Sequence, residues 1–291
     1  MTTLVVDNGS TDGSVAAIRR GFPEVPIIEN QQNLGFAGGN NVGIRWALTK
    51  PFDWIFLLNN DTRVAPDLFE SLLAAARAQP NAKILGAKIL KYQDPNRIDH
   101  LGGAWDPKRA EFFSLHSGLE DRHDIPPAQV DYVCGAALLM HRSVPETIGL
   151  LEEKFFLFWE ETDFCFRARR KGFEVWTAPQ ARVWHKVASS FVGGKPHSHY
   201  FWWRSRLLWL ERNIPYAERQ LLMSEIVSRE LWKTARHYGL RLLQKWLRRI
   251  TLRPSRPDLE QKIRLLKAGL RGAFDYSRGR FGDCPDTNSK K

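Results

Sequence analysis

The stretch "LVVDNGSTDGS", residues 4–14, decides the reading of the fold. Three apolar residues read as a short buried strand, and a turn crowded with side-chain oxygens follows. In open α/β sheets, ligands bind outside the carboxyl ends of the strands. Asp7 and Asn8 therefore stand where half of a nucleotide site is expected. They also have a plainer use, as Asx turns and caps for the next helix.

Outward from this stretch the chain alternates. Residues 11–21, "TDGSVAAIRRG", predict a turn and a helix closed by Gly21, and "PIIEN" at 26–30 a strand. "NLGFAGGNN" (33–41) reads as a glycine-rich loop that opens the helix "VGIRWALTK" (42–50). "DWIFLLNND" (53–61) is a buried strand with a polar end, and "APDLFESLLAAARAQ" (65–79) an amphipathic helix with Pro66 near its start. "AKILGAKIL" (82–90) is another strand. This alternation predicts an α/β fold around a mostly parallel, mixed sheet between helices. After about Tyr92, "HLGGAWDP" and "YVCGAALLMHR" read as strands of the mixed part. "EETDFCFRARRKG" (160–172) reads as a helix stopped by Gly172, and "FEVWTAP" and "ARVWHK" as two short extended pieces.

A hydrophobic content of 43% over 291 residues supports a packed core and excludes a disordered chain. Three scattered cysteines give neither a disulfide framework nor a zinc spacing, and point to a reducing compartment. No apolar run reaches the length of a membrane span. Charge is uneven. Residues 195–291 carry 22 Lys+Arg and 9 Asp+Glu, so the whole of the chain's net +11 lies in the last third. The expected division is 1–195 as the α/β domain, 196–280 as a basic, Trp-rich helical appendage and 281–291 as a disordered tail.

Six motifs occur in one order: "VVDNGSTDGS", "NLGFAGGNNVG", "LLNNDTRV", "CGAALLMHRSV", "FFLFWEETDFCFRARRKG" and "VWHKVASS". Together they resemble family 2 glycosyltransferases of the GT-A fold, and within them the rhamnosyltransferase-like enzymes of bacterial polysaccharide assembly. The resemblance covers roughly residues 3–215. It implies transfer of a sugar from a nucleoside-diphosphate donor to a glycan or polyprenyl-linked acceptor, with inversion.

The resemblance assigns the polar clusters. Asp7 contacts the donor's base, and Asn8, Asn33, Gly35, Asn40, Asn41, Asn59 and Asn60 belong to the donor side. The helix after the glycine-rich segment would offer its N–H groups to the diphosphate. "NND" stands in place of the family's Asp-x-Asp metal motif, so a divalent cation, Mg2+ or Mn2+, falls to Asp61 and His185, with Asn59 offering only an amide oxygen. Glu161 takes the place of the general base, with Glu160 as its rival. Gly135, Trp159 and Asp163 lie on the acceptor side. Simpler roles stay open: acids favour any helix start, and Asp163 and Arg167 are spaced for an intrahelical pair.

In the resembled family, "LVV" is the second strand. A preceding strand, its nucleotide-contacting loop and a helix, roughly 30–40 residues, are expected before it. The strand's place lies between "LVV" and "WIFLL". Either a gap of about 10 Å remains there, or these two strands pair directly. A catalytically impaired family member that only binds membrane or a partner is the alternative function. A nucleotidyltransferase would show an Arg- or Lys-bearing glycine loop after its first strand, and none follows "LVV".

Residues 230–250, "ELWKTARHYGLRLLQKWLRRI", interleave Trp and Leu with Lys and Arg at helical spacing. This suits an anionic membrane surface, hence a cytoplasmic protein peripheral on the inner face of the cell membrane. A solvated basic face is the plainer reading. No recognised module accompanies the charge to support nucleic-acid binding.

Overall fold

The computed structural model describes residues 1–186, 196–252, 254 and 256–285. The chain forms two compact units. The first comprises Met1–Trp105, Phe112–Phe156 and, among the described residues, 160–186. The second gathers Asp106–Glu111, Leu157–Trp159 and the C-terminal helices. The boundary expected at residue 195 thus misses two short segments that leave the first unit early.

In the first unit the elements are β1 (Val5–Asp7), α1 (Ser14–Gly21), β2 (Ile27–Glu29), α2 (Gly35–Leu48), β3 (Trp54–Leu58), β4 (Thr62–Val64), α3 (Leu68–Ala78), β5 (Ala82–Lys91) and β6 (Ile98–His100). A hairpin of β7 (Gly103–Asp106) and β8 (Glu111–Ser114) follows, then β9 (Ala137–His141), α4 (Ser143–Ile148), α5 (Glu160–Arg170) and β10 (Glu174–His185). The main sheet runs β3-β9-β5-β10-β4, with β6 also on β5. It is mixed rather than mostly parallel. Only β5–β10 is parallel within it, because β9 inserts antiparallel between β3 and β5. Successive residues of each strand serve opposite faces. Ile84, Leu138 and Met140 pack with Ile44 of α2 and Phe164 of α5, while Leu85 and Leu139 pack with Leu68 and Leu72 of α3. Fully burying each such side chain stabilises by about 1.5–3 kcal/mol.

Three local expectations change. "FEVWTAP" and "ARVWHK" form one strand, β10, because a bulge between Ala178 and Arg182 takes up Pro179. The strand in "YVCGAALLM" starts only at Ala137. The glycine-rich "loop" is already helix from Gly35. Its glycines serve close packing: a Cβ on Gly39 would stand 3.1 Å from the Asn8 amide, and one on Gly43 3.3 Å from Val6.

Direct pairing of "LVV" with "WIFLL" does not occur. β1 pairs β2 alone, in parallel, and β3 pairs β9. α2 reaches both: Gly43 meets Val6, and Ile44 and Ala47 pack with Ile55 and Leu57.

The second unit contains α6 (Pro196–Asn213), α7 (Tyr216–Leu222), one π-helical turn at Met223–Val227, α8 (Ser228–Ile250) and α9 (Pro257–Ser277). α9 lies close on α6, where a Cβ on Gly272 would stand 2.1 Å from the Tyr200 carbonyl oxygen. Two arginines of α6 are fully buried. Arg206 donates to the carbonyls of Ala110 (2.9 Å) and Arg109 (2.6 Å) and pairs with Glu230. Arg204 donates to the Gly282 carbonyl at 2.7 Å and faces the Phe281 ring, and Cys284 is buried. The stretch expected as a tail is therefore packed at its start, and residues 286–291 lie outside the described residues, as does the end of "VWHKVASS". Among the described residues the three cysteines are free, and no helix is long and apolar enough to cross a membrane.

Candidate active site

The ends of β3 and β10 bring together residues far apart in sequence. Past β3, the Asn59 N–H still donates to the Ala136 carbonyl at 3.0 Å. The Thr62 hydroxyl donates to the Asn59 carbonyl at 2.7 Å, closing the turn that holds Asn60. β4 then pairs antiparallel with β10, with Thr62 opposite His185. This register sets Asp61 Oδ1 2.9 Å from His185 Nε2, with Asn59 Nδ2 3.4 Å from the same nitrogen. A carboxylate oxygen and an imidazole nitrogen suit Mn2+ or Mg2+. No group of three His, Cys, Asp or Glu able to hold a metal occurs among the described residues. The set fits a cation that takes further oxygens from a diphosphate, with Asn59 turned to present its amide oxygen. His185 would serve as a ligand with Nε2 deprotonated.

A strained segment presents the acids. Phe156, Phe158 and Trp159 have φ of 63°, 64° and 74°, a left-handed region that costs L-residues roughly 1–3 kcal/mol each. α5 begins at the next residue. Glu160 is buried, and its Oε2 has no hydrogen-bond partner. Loss of water, then the charge of Glu161, push its carboxyl well above the usual carboxylate range. A Cβ on Gly135 would stand 2.8 Å from the Phe36 ring and 3.6 Å from Glu161 Cβ, so glycine lets this loop lie against both. Burial and then the Glu161 charge also push up the Cys134 thiol, to about 12, and the Tyr132 hydroxyl. The acid pair occupies a corner poor in water.

Asp163 is fully buried and pairs with Arg167 at 2.7 Å, the intrahelical pair its spacing implies. Arg167 also donates to the carbonyls of Ile148 and Leu150, so this pair anchors α5. Trp159 belongs to the second unit, where its ring meets those of Trp202 and Trp209 at 6.3 and 5.9 Å.

Sequence reasoning missed Asp99. It sits in β6 between buried Ile98 and His100, where the register with β5 shifts. Burial raises its carboxyl, opposed first by the charge of His185 and then by Lys91, and its own charge reaches Cys134. It thus stands within electrostatic range of both the metal pair and the loop beside Glu161. An acid alternating with two apolar-facing residues of a strand was the available signal.

The β1 end is built from amides. Asp7 accepts from the backbone N–H groups of Gly9 (3.1 Å) and Ser10 (3.0 Å). Hydrogen bonding, led by the Ser10 side chain, lowers its pKa. Asn8 donates to Asn33 Oδ1 and the Gly35 carbonyl, both at 2.9 Å, and accepts from Asn30 and the Leu34 N–H. Asn33 also caps the Gly35 N–H, and the Phe36 N–H donates to the Phe156 carbonyl at 2.6 Å. The first N–H groups at the start of α2, expected to face a diphosphate, are therefore already engaged. Gly35 has φ +72°, and a Cβ there would stand 2.4 Å from the Phe156 oxygen. Asn40 donates to the Phe36 carbonyl within α2. Buried Asn41 bonds both the N–H and the carbonyl of Leu151 and also Glu153, fixing α2 to the segment that leads into α5.

Residues 2–148 match the family described as "Glycosyl transferase family 2". The chain is 26% identical over 287 residues to the N-acetylglucosaminyl-diphospho-decaprenol L-rhamnosyltransferase of Mycobacterium tuberculosis, covering 84% of this chain and 89% of that protein. It is 29% identical over 180 residues to the low-salt glycan biosynthesis hexosyltransferase Agl10 of Haloferax volcanii, covering 59% of this chain and 54% of that one. Among solved structures, the mannosyltransferase PcManGT of Pyrobaculum calidifontis, in complex with GDP-Man and Mn2+, is similar with a TM-score of 0.53 at 13% identity, covering 96% and 78% of the two chains. GalNAc-T7 with UDP, GalNAc and Mn2+ is similar with a TM-score of 0.51 at 15% identity, covering 78% of this chain and 50% of that one.

Proposed function

Because the chain belongs to glycosyl transferase family 2, we propose that this glycosyltransferase moves one sugar, rhamnose first among the candidates, from a nucleoside diphosphate to a hydroxyl of a lipid-linked or cell-surface glycan acceptor. The observation that carries the reading is the contact of Asp61 with His185, made by the ends of two strands 124 residues apart. The name of the M. tuberculosis relative prints a decaprenol-linked acceptor and a rhamnosyl donor group, which supports the sugar and acceptor classes.

Glu161 removes the proton of the acceptor hydroxyl, and the oxygen attacks the anomeric carbon from the face opposite the leaving diphosphate. One displacement inverts that centre. Buried Glu160 beside it, its carboxyl pushed well above the usual carboxylate range, disfavours water near the pair. Asp61, His185 and Asn59 would hold Mn2+ or Mg2+, which would supply positive charge against the diphosphate. The Asp7 turn is assigned to the donor's base. The protein works in the cytoplasm at the inner face of the cell membrane, with the basic C-terminal region toward anionic lipid.

Purified chain, incubated with a panel of nucleoside-diphosphate sugars, Mn2+ or Mg2+ and an acceptor lipid, should release nucleoside diphosphate. Chelation of the metal and His185→Ala should each reduce release by about tenfold or more. Release of pyrophosphate instead would identify a nucleotidyltransferase. One observation favours a second reading, a member that binds donor without transferring it: β1 and Asp7 stand on a two-stranded sheet apart from β3. Donor binding without nucleoside diphosphate release would establish that reading.

A further inference from the structure

Helix α8 is turned the opposite way from an ordinary amphipathic surface helix. Trp232, Gly239, Leu243, Trp246 and Ile250 recur at steps of three, four and seven residues, which places them on one side. That side is open. Trp232 is 62%, Leu243 50%, Trp246 57% and Ile250 57% exposed. Apart from Leu231 on the flank, the half-buried residues lie on the other side and are polar: Glu230, Thr234, Tyr238, Arg241 and Arg248. Arg206 of α6 pairs with Glu230, and Glu260 of α9 pairs with Lys245 at 2.9 Å. The unit thus holds α8 by its polar side and leaves the apolar side without a partner among the described residues. An exposed stripe of this size marks an interaction site.

Charge selects the occupant. α8 carries seven Lys or Arg and one acid, Glu230. Lys233, Arg236 and Arg249 are exposed beside the stripe, and Arg236 lies over the Trp232 ring at 5.6 Å. A second copy laid on the stripe would oppose these charges with the same charges. A surface of anionic lipid headgroups would match them, with Trp at the boundary and Leu and Ile below. The helix is 23 residues long, so the contact extends along about 35 Å.

We propose that α8 docks flat on an anionic bilayer, with Trp232, Leu243, Trp246 and Ile250 in the acyl boundary and the flanking cations among the phosphates. The inference deepens the lipid-linked acceptor reading and rests on it only for its purpose: docking holds the enzyme where such an acceptor lies. The full chain should co-sediment with vesicles of phosphatidylcholine plus phosphatidylglycerol, and about tenfold less with phosphatidylcholine alone. Leu243→Ser with Trp246→Ser should weaken binding to the anionic vesicles by about tenfold or more. Arg236→Glu with Arg249→Glu should do so comparably at low salt, and the difference from the unsubstituted chain should shrink as salt screens the charges. These side chains are exposed, so the folded signal and nucleoside diphosphate release toward a soluble acceptor should be unchanged. Equal binding to both vesicle types would overturn the proposal. So would a Leu243/Trp246 variant that binds vesicles normally yet loses self-association in the ultracentrifuge, which makes a second copy the occupant. If the chain docks but releases no nucleoside diphosphate with any donor, the transfer reading fails and the docking stands.

Discussion

The two ends of the first unit are built from different chemistry. Where β3, β5 and β10 end, buried or half-buried ionisable groups gather: Asp61 with His185, the pair Glu160–Glu161, and Asp99, His100 and Tyr132 nearby. Paired strands hold them there. At the end of β1, a two-stranded sheet is fixed to α2 by neutral amides, chiefly Asn8, Asn30 and Asn33. The first arrangement can change charge and move protons. The second, apart from the Asp7 carboxylate, sets distances. On the function proposed above, proton transfer falls to the strand ends of the main sheet and ligand positioning to the β1 end.

The largest test of that contrast is Glu161→Gln, which keeps the shape and removes the base. Transfer should fall by about 10³-fold with donor affinity unchanged. Glu160→Gln should cost far less activity. Burial raises its carboxyl's pKa, so ionising it costs the folded state stability above the unfolded value, and the amide removes that cost: stability at neutral pH should rise in chemical denaturation. If the two variants lose activity equally, the division of roles within the pair is wrong.

His100 sharpens the contrast through pH. Burial holds its ring near about 4, against 6.5 when unfolded. Between those values the unfolded chain binds more protons, so folding stability is full above 6.5 and falls as pH drops toward 4. The loss should reach roughly 3 kcal/mol. His100→Leu should flatten this dependence in urea titrations at pH 7 and pH 5. An unchanged slope would mean that other buried groups govern acid sensitivity.

Much of the contrast was legible in the sequence because each candidate motif falls at the end of an apolar run. Asp61 follows "WIFLL", and His185 ends "ARVWH". What brings them together was not legible. It depends on the short strand β4 pairing across to β10, and three residues of "TRV" carry no periodic signal. The left-handed run before α5 was hidden for another reason. Phe and Trp are poor markers of positive φ, which glycine usually signals. Conversely, glycines misled at residues 35–43. They read as a loop, yet they let α2 approach Val6 and the Asn8 amide. The basic stripe of α8 was plain as a pattern, but only packing shows that its polar side faces inward.

The amide end predicts effects without pH dependence. Asn8→Ala removes two donated and two accepted hydrogen bonds, three of them to the loop and helix start at Asn33–Gly35. Stability should fall by about 2 kcal/mol, equally at pH 5 and pH 7. The KM for donor should rise more than kcat falls, because the loop that carries the donor side loses its tie to β1. A purely catalytic defect with normal donor KM would remove Asn8 from the positioning role.

Asp7 is expected to give the smallest effect, and its direction discriminates best. Its carboxylate accepts from the N–H groups of Gly9 and Ser10, and Asp7→Asn retains an oxygen for that turn. Its lowered pKa means that ionised Asp7 stabilises the fold above the unfolded value and that this contribution disappears as pH falls through the folded value. The side chain is largely open to water, so the stability change at pH 7 should be within about 1 kcal/mol. A contact to the donor's base behaves differently. Replacing a carboxylate by an amide places a donor against the base's own N–H, and donor KM should rise by about tenfold while kcat holds. If donor KM is unchanged and only the small stability loss remains, Asp7 is a turn residue. The donor's base must then be read elsewhere on the strand ends.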